Sequence, residues 1–306
     1  MMELSLSHTL INTMALMILK PMQSAILIRL LNSYSFVGDT IMQASIIFDL
    51  SKLDQSIREQ IETSPKYRDW FTRKPAQMLG LDNNAKTVKG NKRGFKTAIL
   101  YLVPASQSGQ QLCPNAKLAA CDKACLFTAG RGAMSSVFMS RLWRTLFFLQ
   151  YKDEAIELIK KDIARYHKAS LKGDWDLLVR LNGTSDIRWE NYGIMQAFPN
   201  VQFYDYTKLA NRKGLPDNYD LSFSYSGLPA YQSQVQLAIQ QGMRVAVVFR
   251  HRDIVDRLLG NSESFLGMPV VDGDDTDIRH LDPQASVVAL YAKGKAIKDS
   301  TGFVVG

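Results

Sequence analysis

From Thr97 onward the chain alternates β-branched apolar runs with stretches of helical period, and this alternation constrains the fold more than any other feature. Thr97 to Val103 stops at Pro104 and reads as a buried strand. Helical stretches follow at Arg131 to Gln150 and Asp153 to Lys168. Asp176 to Leu181 reads as the next strand, ended by Asn182-Gly183, and a short helix around Tyr192 to Phe198 leads into a strand at Val201 to Tyr206. Asp220 to Tyr225 is a further strand, and Tyr231 to Gln241 a helix closed by Gly242. Arg244 to Phe249 is almost wholly apolar, as a strand covered on both faces should be. Pro269 to Val271 and Ser286 to Ala292 complete the strands. Such alternation calls for an α/β fold with a mainly parallel sheet and right-handed crossovers. About six units in succession predict an incomplete (βα)6-type barrel of mainly parallel strands rather than a flat doubly wound sheet. No Gly-x-Gly-x-x-Gly follows any strand, so a dinucleotide fold lacks its signature.

The barrel is expected over residues 82–306, with residues 1–81 as a mixed, partly helical N-terminal extension. Within that extension Thr9 to Asn32 is rich in Leu, Ile and Met, but Lys20-Pro21 and Arg29 interrupt it. A spanning helix needs roughly 20 predominantly apolar residues, so core packing or a partner-facing amphipathic helix is expected there, without stable membrane insertion. The opening Met1-Met2-Glu3 lacks the basic region of a signal peptide. Ser45 to Leu50 reads as a short strand and Asp54 to Thr63 as a charged helix. Three cysteines in 306 residues cannot all pair within one chain, which excludes a secreted disulfide framework and points to a cytosolic setting. A net charge of +8 permits a polyanionic partner, nucleic acid included. The stretch Asp82 to Lys96, with Lys86, Lys89, Lys92, Arg93 and Lys96 around Gly90 and Gly94, reads as a solvated loop or as a phosphate contact.

In β/α barrels chemistry sits in the loops after the carboxyl ends of the strands. The loop after the first strand holds all three cysteines, Cys113, Cys121 and Cys125, in a C-x7-C-x3-C pattern. The x3 step predicts Cys121 and Cys125 on one face of a helical turn, with Cys113 reaching in from a loop. Thiolates converging on one point suit an iron–sulfur cluster or zinc. The four histidines (His8, His167, His251, His280) show no local finger spacing, so a [4Fe-4S] cluster is the first expectation and a zinc-stabilised module an alternative. Three thiolates on four irons leave one iron open to a small-molecule ligand.

The position of this loop and its cysteine number resemble the radical S-adenosylmethionine (SAM) enzymes, in which the open iron chelates SAM on a partial β/α barrel. The spacing departs from their usual C-x3-C-x2-C. A closer resemblance runs from about Lys86 to the last residue. It is carried by Leu100-Tyr-Leu-Val-Pro-Ala105, Cys113-Pro114, Cys125-Leu126, Ala129-Gly-Arg131 and Val179-Arg-Leu-Asn-Gly-Thr-Ser-Asp186. Phe203-Tyr-Asp-Tyr-Thr-Lys208, Ala246-Val-Val-Phe249, Val271-Asp-Gly-Asp274 and Ala292-Lys-Gly294 extend it. These motifs resemble the bacteriophage gene-product-88-like proteins. The resemblance implies a phage protein with an iron–sulfur site, acting in the cytoplasm of the infected bacterial host.

Around the cysteines the expected pocket comprises Arg131, Asn182, Ser185, Asp186, Asp205, Tyr206 and Lys208. Asn182, Thr184, Ser185 and Asp186 offer amide, hydroxyl and carboxylate groups where radical SAM enzymes hold the SAM amino acid moiety; an Asx-type turn is the competing reading. Tyr206 and Lys208 could bind a carboxylate or relay protons, and Asp205 with Lys208 could be a structural pair. Arg131 could hold an anion beside the cluster. Asp272, Asp274, Asp275 and Asp277 have the composition of a hard-cation site or of ordinary turns, and His251 could approach the cluster as a fourth ligand. Two functional classes follow: a SAM-binding cluster enzyme, or a non-catalytic redox-sensing or electron-transfer cluster protein that could also bind nucleic acid.

Overall fold

The computed structural model describes residues 45–81, 85–125, 127 and 130–306. The expectation for Thr9 to Asn32 lies outside the described residues. The chain divides into two units, Met1–Ile47 and Phe48–Gly306. Of the first, only residues 45–47 are described, and they form no regular structure. The second takes in residues 48–81, which the sequence reading assigned to an extension.

Its elements run α1 (Gln55–Thr63), α2 (Pro65–Phe71), β1 (Leu79–Leu81), α3 (Ala85–Val88), β2 (Phe95–Leu100), α4 (Ser135–Gln150), α5 (Lys152–Gly173) and β3 (Asp176–Arg180). Then come α6 (Ile194–Ala197), β4 (Gln202–Thr207), β5 (Tyr219–Ser224), α7 (Gln232–Gln240), β6 (Val245–Phe249), α8 (Arg252–Gly260), β7 (Val270–Asp272) and β8 (Val287–Tyr291). All eight strands join one sheet in the order β1-β2-β3-β4-β5-β6-β8-β7. Every neighbouring pair is parallel except β1 with β2. The α/β class and the mainly parallel sheet therefore stand as the sequence indicated.

Register explains how the sheet is covered. One face carries Phe223, Val245, Val247, Phe249, Val287 and Ala289, packed beneath Val235 and Ala238 of α7 and Val255 and Leu258 of α8. Burying such side chains stabilises the fold by about 1.5–3 kcal/mol each. The other face is polar, with Arg180, Tyr204, Tyr206, Ser222 and Arg244 in register across β3 to the start of β6. The connection from β7 to β8 lies over it. Ile278 packs with Leu178 and Tyr204, Asp277 pairs with Arg180 at 2.5 Å, and the Arg244 guanidinium donates to the carbonyls of Arg279 (2.5 Å) and Asp282 (2.8 Å).

Several elements differ from expectation for physical reasons. Residues 45–50 form no strand. Phe48 instead packs edge-on against Phe71 and Tyr151, and the Asp49 backbone N–H donates to Gln150 Oε1 at 2.8 Å. β2 ends at Leu100 because the chain then leaves the sheet, where the Val103 N–H meets Thr145 Oγ1 at 3.0 Å. The amphipathic helix α8 was not anticipated, although Ile254, Val255, Leu258 and Leu259 stand at helical spacing. The acidic segment 272–277 gathers no cation site. Asp272 pairs with Arg252 (2.8 Å), Asp274 with Lys293 (2.7 Å), Asp275 with Arg93 (2.6 Å) and Asp277 with Arg180. Each carboxylate thus turns to its own cation. The same contacts account for part of the basic 86–96 stretch: Lys89 donates to the Asp274 carbonyl at 2.8 Å, Arg93 is paired, and Lys96 lies over the Trp175 ring.

Candidate functional site

The carboxyl ends of β2, β3, β4 and β5 converge on the segment that carries the cysteines. Gly183, just past β3, approaches β2 so closely that a Cβ there would sit 2.6 Å from Ile99 Cγ2 and 2.7 Å from the Leu100 carbonyl. That closeness lets Gly183 N–H donate to Leu100 O at 3.1 Å and Asp186 N–H to Leu112 O at 2.9 Å. The Thr184 hydroxyl donates to the Leu102 carbonyl. After β4, the Lys208 carbonyl accepts from Asn115 Nδ2 at 2.9 Å, and after β5 the Ser226 hydroxyl donates to the Ala119 carbonyl at 2.9 Å. The cysteine segment is therefore clamped by three strand ends.

Cys121 and Cys125 do not share a helix face. Residues 115–123 form successive turns, with Ala120 at φ +51°, because backbone bonds such as Cys121 N–H to Ala116 O (3.0 Å) close each turn on itself. All three cysteines are half-buried thiols. Backbone donors reach the sulfurs: Ala105 N–H lies 3.4 Å from Cys113 Sγ, and the N–H of Phe127 donates to Cys125. Burial pushes the Cys113 thiol up to about 12 and Cys125 up to about 11, and it raises Cys121 as well. The sulfurs are near enough to raise one another: Cys125 and Cys121 both act on Cys113. Among the described residues no three His, Cys, Asp or Glu side chains converge on a single metal ion.

Lys208 is the central cation. Its Nζ donates to the carbonyls of Ser224 (3.0 Å) and Tyr225 (2.9 Å) and lies 4.6 Å from the Phe303 ring centroid. Burial pulls its amine down to about 8, against the opposing pull of Cys121, Asp186 and Cys125. A second cation was missed in the sequence. Arg141, on α4, lies over the Tyr101 ring, donates to the Phe127 carbonyl at 3.3 Å and faces Cys125. No motif marks it; only the packing of α4 brings it in. Arg131, expected there, is exposed in a short 3-10 turn (Gly130–Ala133).

The other expected pocket residues divide by role. Asp186 faces Cys113 and Lys208, yet its carboxylate also accepts from Thr207 Oγ1 (2.8 Å) and the Lys208 N–H (2.7 Å), and burial raises it. Asn182 Oδ1 accepts from the Ile187 N–H (2.8 Å), the Ser185 hydroxyl (2.9 Å) and Trp189 Nε1 (3.0 Å). Asn182 and Ser185 thus form the Asx-type turn that orders the β3 exit. Asp205 caps the same exit by accepting from Leu181 and Asn182 N–H, with Tyr219 Oη at 3.1 Å, and burial pushes it up to about 7. Tyr206 lies on the polar sheet face near Arg180, where burial raises its phenol. Lys208 and Asp205 make no pair; Asp205 lies 3.9 Å from Arg180 instead. His251 is exposed at the start of α8.

The family model described as Gene product 88 matches residues 76–306. The chain belongs to this family. The matched region of this Gene product 88 chain takes in every strand of the sheet, all three cysteines, Arg141 and Lys208. No curated protein and no solved structure matches it. No helix among the described residues is long and apolar enough to cross a membrane.

Proposed function

We propose that this phage-family protein is an iron–sulfur protein in which Cys113, Cys121 and Cys125 hold a [4Fe-4S] cluster. The observation that carries the reading is the gathering of all three cysteines into one half-buried nest at the strand ends, beside a buried lysine. Backbone N–H donors to ligand sulfurs and a nearby cation are the levers by which a protein stabilises cluster-bound thiolates. A zinc-stabilised module is the alternative, and the metal content of the purified protein separates the two.

When bound, such a cluster supplies one-electron chemistry and, with three protein ligands, an iron open to a small molecule. The strand order from β2 to β6, with β8 beyond, advances in one direction and supports the incomplete barrel as the scaffold. The non-catalytic reading, redox sensing or electron transfer, has a specific observation in its favour. Asn182 and Ser185, expected to contact SAM, and Asp205, expected in the same pocket, use their polar atoms to brace the β3 exit. Nucleic acid as a partner rests on the net charge of +8, and part of the basic 86–96 stretch is already paired with the acidic loop. We place the protein's work in the cytoplasm of the infected host.

The test is anaerobic purification with iron and sulfide analysis, then EPR of the dithionite-reduced protein with and without SAM. About four irons per chain with a signal indifferent to SAM supports the redox reading. A SAM-shifted signal with release of 5′-deoxyadenosine makes it a radical SAM enzyme. A folded chain with one zinc and no iron overturns the cluster.

A further inference from the structure

A second concavity lies at the end of the sheet opposite the cysteines. Phe95, Asp176 and Gln202 open β2, β3 and β4, and these strands run parallel, so their amino ends meet there. With the last turn of α5 and His280 they line a cleft of about 550 Å³, within the size range of small-molecule sites. The local backbone positions its aromatic wall. Asp174 ends α5 in the left-handed conformation (φ +52°) and turns the chain back. Gly173 leaves room for the indole, since a Cβ there would lie 2.4 Å from Trp175 Nε1. The Trp175 ring already accepts one ammonium, with Lys96 Nζ 4.8 Å from its centroid.

The cleft is negative. No lysine or arginine lines it, whereas Asp174 and Asp176 flank Trp175 within it. Neither carboxylate pairs with a cation or accepts a hydrogen bond among the described residues. The last carbonyls of a helix lack intrahelical donors and carry partial negative charge. No other segment caps those of α5 among the described residues. Lys168 and Lys172 stand on the same end of α5 but are exposed and outside the cleft lining. Setting Lys96 against the two aspartates still leaves one negative charge beside the helix end. Leu171, Leu177 and Phe95 add apolar surface. A phosphate or carboxylate meets no lining countercharge here, whereas an ammonium meets carboxylates, helix carbonyls and an indole.

We propose that this cleft binds an aliphatic polyamine. Asp174, Asp176 and the α5 carbonyls hold its ammonium groups, and Trp175 and Leu171 take its methylenes. The inference is independent of the cluster reading, and binding involves no covalent step.

The experiment is calorimetric titration of the full chain with spermidine, in wild type, the double variant Asp174→Asn with Asp176→Asn, Trp175→Leu and Asp253→Asn. Asparagine tolerates the left-handed backbone at position 174, so the double variant removes charge and keeps shape. Wild type should bind one spermidine per chain, saturably, and more weakly as salt rises. The double variant should bind at least tenfold more weakly, and Trp175→Leu should lose affinity by a smaller factor. Asp253 is an exposed carboxylate on α8, which follows the carboxyl end of β6, and Asp253→Asn should match wild type. No saturable binding in wild type, wild-type affinity in the double variant, or an equal loss in Asp253→Asn overturns the inference. So does tighter binding of adenosine or of inorganic phosphate than of spermidine. If Trp175→Leu does not fold, the double variant decides.

Discussion

Gly183→Ala is the sharpest perturbation of the link between the sheet and the cysteine nest. The added Cβ would stand 2.6 Å from Ile99 Cγ2, 2.7 Å from the Leu100 carbonyl and 2.9 Å from Tyr101 Cδ1. The backbone oxygen cannot rotate away as a flexible side chain would, so the 182–186 loop must retreat from β2. Overpacking of this kind costs about 1–3 kcal/mol. The retreat also stretches the Gly183 N–H to Leu100 O bond (3.1 Å) and the Thr184 hydroxyl bond to Leu102, at about 1 kcal/mol each. The expected loss is therefore about 3–5 kcal/mol, seen in urea as a lower midpoint at constant m value. Because Cys113 Sγ lies 3.9 Å from the Thr184 carbonyl, alkylation of the Cys113 thiol by iodoacetamide in the metal-free protein should speed up as well. A Gly183→Ala protein with the wild-type midpoint and alkylation rate would refute the clamp.

Three further outcomes follow from the same contacts. Asp277→Ala removes the nearer carboxylate from Arg180 on the buried sheet face, leaving Asp205 at 3.9 Å, and should cost about 3 kcal/mol in urea unfolding. The double change Arg180→Met with Asp277→Leu should recover most of that loss, and equal losses in both proteins would contradict the pairing. Asn182→Ala leaves Trp189 Nε1 buried without its acceptor and should cost about 1–3 kcal/mol in the metal-free protein; unchanged stability would return Asn182 to a ligand-contacting role. Burial lifts the folded Asp205 carboxyl to about 7 from an ordinary value of 3.8. Its contribution to stability is complete below the unfolded value and is lost as pH rises through the window from 3.8 to about 7. Urea midpoints measured across that window should fall more steeply in wild type than in Asp205→Asn, and parallel profiles would show that Asp205 ionises elsewhere.

The parallel sheet was legible because its strands are buried on both faces. Runs such as Val245–Phe249 advertise that directly, with every residue apolar and buried. The cysteine segment stood out from its spacing alone, but its shape was not legible. Turns closed by Ala116 and Ala120 carry no periodic signal, so a helical turn was the natural and incorrect reading. Asn182 and Ser185 show the opposite difficulty. The residues that begin a ligand-binding turn are the same ones that brace a strand exit, and only their partners tell the two apart. Arg141 was illegible for a further reason: on a 16-residue helix it is one of two arginines, and its place over Tyr101 depends on how α4 packs. The acidic segment 272–277 looked like a cation site because sequence shows carboxylates together, whereas the fold turns each toward a different basic residue.

The central claim is that Cys113, Cys121 and Cys125 together hold one cluster. Its most direct test is iron and acid-labile sulfide per chain, measured side by side for anaerobically purified wild type and for Cys113→Ala, Cys121→Ala and Cys125→Ala. The account predicts about four irons and matching sulfide in wild type, with most of both lost in each single variant. Folded wild-type protein without iron, or full iron retained in any one variant, would contradict it.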